Sequence, residues 1–377
     1  MRILAFNWRD PAHPEAGGAE LHLSEILTRA ARDGDDVTWL AEQFPGSKPE
    51  EEYRGLRILR RGSWYNAHLA LAELYRRRLR GERFDLVLED INKVPFFTPR
   101  YVDAPVLAVV PHLFGSTVFH EASPVVGAAV WAYESLIPHV YRGVPFLAIS
   151  ESTREDLVRR GIARDRIDVV RCGLDQGAYS VSIPPEKRIE PSIAFVGRLR
   201  KYKGAQLAIR ALPYVLKRVP GARLEIVGDG PYRESLKALA RRLKLRERIE
   251  FHGPLLHRYK VEILNQAMVA VAPSPKEGWG LTVIEANACG TPVVASRSPG
   301  LIESVRDGET GILVPHGNVK ALADALSDLL TDAPRRIRMA EAGLRWAHEF
   351  TWERCYRESR AVMERAASAG VVGARAT

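Results

Sequence analysis

The chain reads as an α/β protein made of two doubly wound parallel-sheet units, Rossmann-like in pattern and facing a central cleft. Three observations predict this. Short apolar runs alternate with amphipathic stretches of helical period along nearly the whole sequence. The alternation breaks once, at the proline-rich, charged stretch Val-Ser-Ile-Pro-Pro-Glu-Lys-Arg-Ile-Glu-Pro over 181–191, and then restarts. A length of 377 residues provides for two or three cores.

In order, the first half gives strands at 2–7, 36–41, 56–60, 86–89, 106–110, 146–149 and 167–170, with helices at 18–32, 67–80, 125–140 and 152–160. Ser150, with Glu151-Ser152-Thr153 ahead of an apolar-periodic run, marks a helix start. After the break come strands at 192–196, 223–227, 249–252, 269–272 and 292–295 and helices at 204–218, 232–243, 258–266, 282–288 and 318–330. A helical tail runs from 334 to 367 with an interruption near Phe350-Thr351-Trp352. The expected division is a first domain over 1–182, a linker over 183–191, a second domain over 192–350 and a helical tail over 351–377 that packs back on the first domain. Ligands of doubly wound sheets sit off the carboxyl ends of the strands, so that is where binding residues are sought.

Composition narrows the function. The net charge of +9 suits an enzyme with a phosphorylated ligand, and also a peripheral attraction to anionic lipid. No helix-turn-helix, zinc-finger or aromatic RNA-platform pattern occurs, so nucleic acid is not an expected partner. The three cysteines, Cys172, Cys289 and Cys355, are scattered and fit neither a disulfide framework nor a zinc site, and a reducing compartment suits them. The N-terminal apolar run is too short for a secretory signal, and no run reaches the length of a spanning helix. A cytoplasmic protein is expected. The Arg-rich stretch 75–80 closes a helical segment, where cations offset the helix dipole.

The most informative segment is Glu277-Gly278-Trp279-Gly280-Leu281-Thr282-Val283-Ile284-Glu285. A glycine-rich loop enters an apolar helix, so free backbone N–H groups and the positive end of a dipole converge on a spot that suits a diphosphate. Glu277 stands before that spot and Glu285 about one turn inside the helix, the layout a nucleotide-sugar requires. Gly197-Arg198-Leu199-Arg200-Lys201-Tyr202-Lys203-Gly204 leaves another strand, and its Arg198 and Lys203 are candidates to neutralise a departing diphosphate. Val227-Gly228-Asp229-Gly230-Pro231 is a third strand–turn–helix junction. It is read either as a ligand loop or as a tight turn, and Arg233 in place of a third glycine removes the dinucleotide fingerprint. In the first half, Gly17-Gly18-Ala19-Glu20 opens a helix and reads as an anion cradle or as tight helix entry. His112 follows an apolar strand and is placed toward the cleft, as a sugar contact or a structural histidine. His120, His139, His252, His257 and His348 read as structural or solvated. Asp33-Gly34-Asp35 matches D-x-D only formally, because Gly34 suits a helix end and the aspartates a turn. No His, Cys or carboxylate cluster shows metal-ligand spacing, and no metal or other cofactor is expected.

Together these segments, with Ile149-Ser150-Glu151-Ser152, Cys172-Gly173-Leu174-Asp175 and Gly290-Thr291-Pro292-Val293-Val294, resemble the glycosyltransferase family 4 group of retaining, GT-B-fold enzymes over almost the whole chain. The resemblance implies a hexosyltransferase that uses a nucleotide-diphosphate sugar and a glycan or lipid-linked acceptor, with a role in polysaccharide or glycoconjugate synthesis. It implies that Arg198 and Lys203 bind the diphosphate, that Glu285 accepts hydrogen bonds from the ribose, and that Glu277 and His112 contact the donor sugar. The backbone of Gly278, Trp279, Gly280, Leu281 and Thr282 would line the phosphates, with Gly197 beside them, and Gly17 and Gly18 would approach the reaction centre. Cys172 stands where the family often has Asn, at a position that reads as structural. A nucleotide-sugar epimerase or hydrolase and a non-catalytic binding subunit are the alternatives. An acceptor separates the first from a transferase, and the joint presence of Glu277, Glu285, Arg198 and Lys203 speaks against the second. The segment 89–99 is read as bordering the acceptor side.

Overall fold

The structure is a computed structural model that describes residues 1–115 and 124–373, so the expectation for His120 lies outside the described residues. Two compact units emerge. One comprises Met1–Gly173 with Trp352–Thr377, the other Leu174–Thr351.

The first unit holds strands β1 (Arg2–Phe6), β2 (Asp36–Ala41), β3 (Glu50–Tyr53), β4 (Leu56–Arg60), β5 (Leu86–Asp90), β6 (Val106–Val110), β7 (Phe146–Ala148) and β8 (Ile167–Val169). They form one sheet in the order β3-β4-β2-β1-β5-β6-β7-β8. All neighbours are parallel except β3, which runs antiparallel to β4. Ile3, Leu4, Ala5 and Phe6 of β1 are fully buried, as a central strand covered on both faces requires. Sequence order reverses between β1 and β5, which makes their carboxyl ends the switch point of this sheet.

Helix Gly18–Arg32 occupies the expected span and closes at Gly34, whose φ of +92° is one few side chains tolerate. Ser150 caps helix Glu151–Arg159 by accepting from the Thr153 amide. The helix expected over 67–80 is α-helical only over Ala67–Leu74 and widens into a π-turn over Tyr75–Leu79. The helix expected over 125–140 divides into Pro124–Ser135 and Ile137–Val140, because Pro138 lacks an amide and its ring crowds the preceding turn.

The second unit holds β9 (Ser192–Val196), β10 (Arg223–Val227), β11 (Ile249–Gly253), β12 (Val269–Ala272), β13 (Val293–Ser296) and β14 (Gly311–Val314). The sheet is parallel throughout, in the order β11-β10-β9-β12-β13-β14, and its switch point lies between β9 and β12. Helices Ala205–Arg218 and Val319–Thr331 bury Ile209, Leu212, Val215, Leu322, Leu326 and Leu329 against one face. Fully burying such a side chain contributes about 1.5–3 kcal/mol.

Two boundaries differ from the sequence reading. The first unit ends at Gly173 rather than at 182, and 183–191 is not a free linker. Arg188 is only 5% exposed and donates to the carbonyls of Ile183, Ala267, Cys289 and Gly290 and to the Thr291 hydroxyl. Proline and charge there mark a segment bolted to the second unit, not one left in solvent. The tail forms helices Ala333–His348 and Trp352–Gly373. The second of these belongs to the first unit. Its Tyr356 hydroxyl donates to Asp33 at 2.5 Å, and Arg360 pairs with Asp35. Both aspartates of Asp33-Gly34-Asp35 therefore serve packing.

Candidate active site

The second unit gathers most of the expected residues at its switch point. Gly197, Arg198 and Lys203 lie on the connection after β9, and Glu277 lies on the connection after β12. Lys203 donates to both oxygens of Glu277, at 2.8 and 2.7 Å, and the Ser274 hydroxyl donates to Oε1 at 2.7 Å. Burial pulls the Lys203 ammonium down, the Glu277 carboxylate more than offsets it, and the net shift is upward, while the nearby Arg198 charge acts against it. Arg198 is exposed beside this pair.

Glycines set this geometry. Gly204, at φ +80°, lies so near the Pro273 carbonyl that a Cβ there would sit 2.3 Å from its oxygen. That contact brings the two connections together. A Cβ on Gly228 would come 2.0 Å from the Gly197 carbonyl oxygen, and the Leu199 amide donates to the Asp229 carbonyl. The Gly228-Asp229-Gly230 turn therefore braces the Arg198 loop through close backbone approach.

Gly280 precedes helix Leu281–Ala288, and no side chain caps that helix. A helix start without a side-chain cap is a kind of place where an anion can be held. Trp279 is 2% exposed, and its ring packs on Phe350 with centroids 5.2 Å apart. Its indole is thus a core group. Gly278, Leu281 and Thr282 are half-buried along the same turn.

Glu285 projects from this helix with its side chain 12% exposed. Its Oε1 accepts from the Tyr179 hydroxyl at 2.5 Å and from Lys260 at 2.9 Å, while Oε2 has no hydrogen-bond partner among the described residues. Sequence reading missed both Tyr179 and Lys260. Neither carries a local signal, because 179, 260 and 285 meet only through the fold.

Gly17, Gly18 and His112 belong to the first unit. The Gly17 amide donates to Glu20 at 2.7 Å, so this helix start already holds a carboxylate and is a poorer seat for an anion than the glycines alone suggest. At the switch point of the sheet the Asn7 amide donates to Asp90 at 2.8 Å, and Asn92 donates to Asn7 and to Glu20. Burial, then the Glu20 charge, pushes the Asp90 carboxyl well up. His112 is half-buried beyond β6, edge-on to Phe114 with centroids 5.1 Å apart.

All three cysteines are buried free thiols. Among the described residues one group has metal-ligand proximity, which the sequence spacing did not reveal. Glu225 on β10 and Glu250 and His252 on β11 share a face, with ligand atoms within 4.8 Å of one another. His252 Nε2 lies 2.7 Å from Glu225, a contact that a hydrogen bond between the two side chains accounts for. No helix of the described residues is long and apolar enough to cross a membrane.

A doubly wound unit that gathers cations and carboxylates around an uncapped helix start, joined in one chain to a second such unit, has the architecture of GT-B proteins. Residues 16–177 match the family model described as Glycosyltransferase Family 4, and residues 182–346 the one described as Glycosyl transferases group 1. The two matches together take up most of the chain, which belongs to glycosyltransferase family 4. The D-inositol 3-phosphate glycosyltransferase of Corynebacterium aurimucosum is 35% identical over 222 residues, 54% of this chain and 52% of that protein. The chain spans about half the length of the curated relatives of this kind that it matches. The glycogen synthase of Mycobacterium tuberculosis is 28% identical across 94% of this chain and 92% of its own. The sucrose-phosphate synthase structure from Thermosynechococcus elongatus superposes with a TM-score of 0.83 over 98% of this chain and 99% of that one, at 22% identity.

Proposed function

We propose that the protein is a retaining glycosyltransferase that moves a hexose-type sugar from a nucleotide-diphosphate sugar to a glycan or lipid-linked acceptor, in cell-surface polysaccharide or glycoconjugate synthesis. The observation that carries this reading is the second unit's switch point. A Lys203–Glu277 pair, an uncapped helix start and a carboxylate with one unanswered oxygen lie there, and the proposal assigns them in turn to the sugar, the diphosphate and the ribose.

In the proposed reaction the bond between the anomeric carbon and the diphosphate oxygen breaks. The electron pair leaves with the diphosphate, and Lys203, Arg198 and the helix amides receive the growing charge. The acceptor hydroxyl bonds to the anomeric carbon from the face the diphosphate leaves. Its proton passes to the departing phosphate oxygen, which gives retention without a second carboxylate pair. Glu277, held by Lys203 and Ser274, is assigned to the donor sugar, and Gly17, Gly18 and His112 are the first unit's own candidates for sugar or acceptor contact. Charge supplied by Lys203 and Arg198 makes the transfer metal-independent.

The working place is proposed as the cytoplasm, peripheral to the inner face of a membrane. The net charge of +9 and the exposed Trp131 support this. The Arg-rich segment supports it less than its sequence suggests, because Arg77, Arg78 and Arg80 pair with Glu73, Glu50 and Asp103. Retention on anionic vesicles at low salt and release at high salt is the expected behaviour, and a protein that stays free at low salt contradicts it.

The test of the activity is a screen of UDP-, GDP-, ADP- and dTDP-sugars with lipid and oligosaccharide acceptors, with and without EDTA. Transfer that survives EDTA is expected. A changed or freed sugar with no acceptor dependence marks an epimerase or hydrolase instead, and loss on chelation restored by Mn²⁺ or Mg²⁺ overturns metal independence.

A further inference from the structure

We infer that Tyr179 and Lys260 are positioning residues that hold the Glu285 carboxylate in one orientation and reserve its second oxygen for the nucleoside. The inference rests on the proposed ribose role of Glu285. Three separate elements supply the parts. Tyr179 comes from the segment that opens the second unit, Lys260 from helix His257–Gln266 and Glu285 from helix Leu281–Ala288.

The Tyr179 hydroxyl donates to Glu285 Oε1 at 2.5 Å, and Lys260 donates to the same oxygen at 2.9 Å and also to the Tyr179 hydroxyl. Two donors on one oxygen use up its lone pairs. Oε2 accepts no hydrogen bond from the described residues, and a buried carboxylate oxygen without a donor is costly unless a ligand answers it. The Tyr179 ring is itself fixed. It is 6% exposed, His257 stands edge-on at 4.6 Å, and the Lys260 ammonium lies 4.9 Å from its centroid. Burial, then the Glu285 charge, pushes the Tyr179 phenol far above its ordinary range, so it remains a donor at any working pH.

An unheld carboxylate would rotate between χ states and present either oxygen. The clamp removes that freedom before the nucleotide arrives and leaves a single acceptor, directed at hydroxyl donors. Loss of the clamp therefore lowers affinity for nucleotides that carry ribose hydroxyls and leaves those without them unchanged.

The experiment measures UDP and GDP, and their 2′,3′-dideoxy counterparts, by calorimetry against wild type, Tyr179→Phe and Lys260→Met, with a melting curve for each. Wild type is expected to prefer the ribose forms. In Tyr179→Phe that preference shrinks about tenfold while dideoxy affinity stays put, as loss of one hydrogen bond to a charged group predicts. Lys260→Met shows the same selective loss and answers the question should Tyr179→Phe not fold. Equal weakening of ribose and dideoxy forms, or unchanged binding in both variants, overturns the inference. Wild type with no ribose preference, together with an unaffected Glu285→Ala, instead removes the underlying ribose assignment.

Discussion

Replacing Arg188 by methionine tests whether the proline-rich segment is a structural part of the second unit. The guanidinium is buried and bonds only to carbonyls and one hydroxyl, and burial pulls it down to about 10. Two of those carbonyls, of Cys289 and Gly290, directly follow the helix that carries Glu285, so Arg188 also serves as its C-terminal cation. Methionine fills similar volume but donates nothing. Each orphaned buried acceptor costs about 1–3 kcal/mol. Relief from desolvating the guanidinium returns part of this, leaving a net loss of about 3 kcal/mol. For a unit of this size that corresponds to a fall in Tm of roughly 6–12 °C. Arg188→Lys keeps the charge but not the fan of donors and falls between. Calorimetric melting of the full chain reads both. A Tm for Arg188→Met within about 1 °C of wild type would refute the reasoning and return 183–191 to a linker.

His22 is 1% exposed, neither ring nitrogen has a hydrogen-bond partner among the described residues, and burial pulls its pKa down to about 4 from 6.5. Its neutral form is the folded one, so the stability it contributes is whole above pH 6.5 and declines toward pH 4, by about 3 kcal/mol in full. His22→Phe removes that acid dependence, and denaturant melts at pH 4, 5 and 7 with parallel pH profiles in the two proteins contradict it. Lys203→Ala and Arg198→Ala lower turnover by about tenfold to a hundredfold, with Arg198→Ala leaving Tm unchanged because its side chain is exposed. Steady-state rates at saturating acceptor check this, and wild-type kcat/KM in both variants removes the leaving-group role.

Much of this molecule was legible in its sequence. Short segments dominated by apolar residues between turn signals mark strands, so the spans of β2, β4, β6, β9, β10 and β12 coincide with those read from the sequence. The strand β3 escaped notice because Glu-Glu-Glu-Tyr lacks apolar alternation and lies exposed at the antiparallel edge. β14 escaped because only four residues of Gly-Ile-Leu-Val separate two loops. The glycines at 204, 228 and 280 stood out in their loops, yet only the fold shows what each approaches closely: Pro273, Gly197 and Ser304. The charge partners were not legible at all. Arg188 stood unremarked in a stretch read as a linker, and Tyr179 and Lys260 gave no local pattern, because long-range side-chain contacts leave no periodicity in sequence.

The central claim is that the second unit binds a nucleoside diphosphate with Glu285 on its ribose. Titration calorimetry of UDP, GDP and ADP into wild type, Glu285→Asp and Glu285→Ala tests it most directly. At least one nucleotide should bind wild type. Glu285→Ala should weaken it by roughly 10- to 100-fold, the loss of one hydrogen bond to a charged acceptor, and Glu285→Asp, one methylene short, should fall between. Unchanged affinity in Glu285→Ala, with its melting temperature intact, would contradict the account.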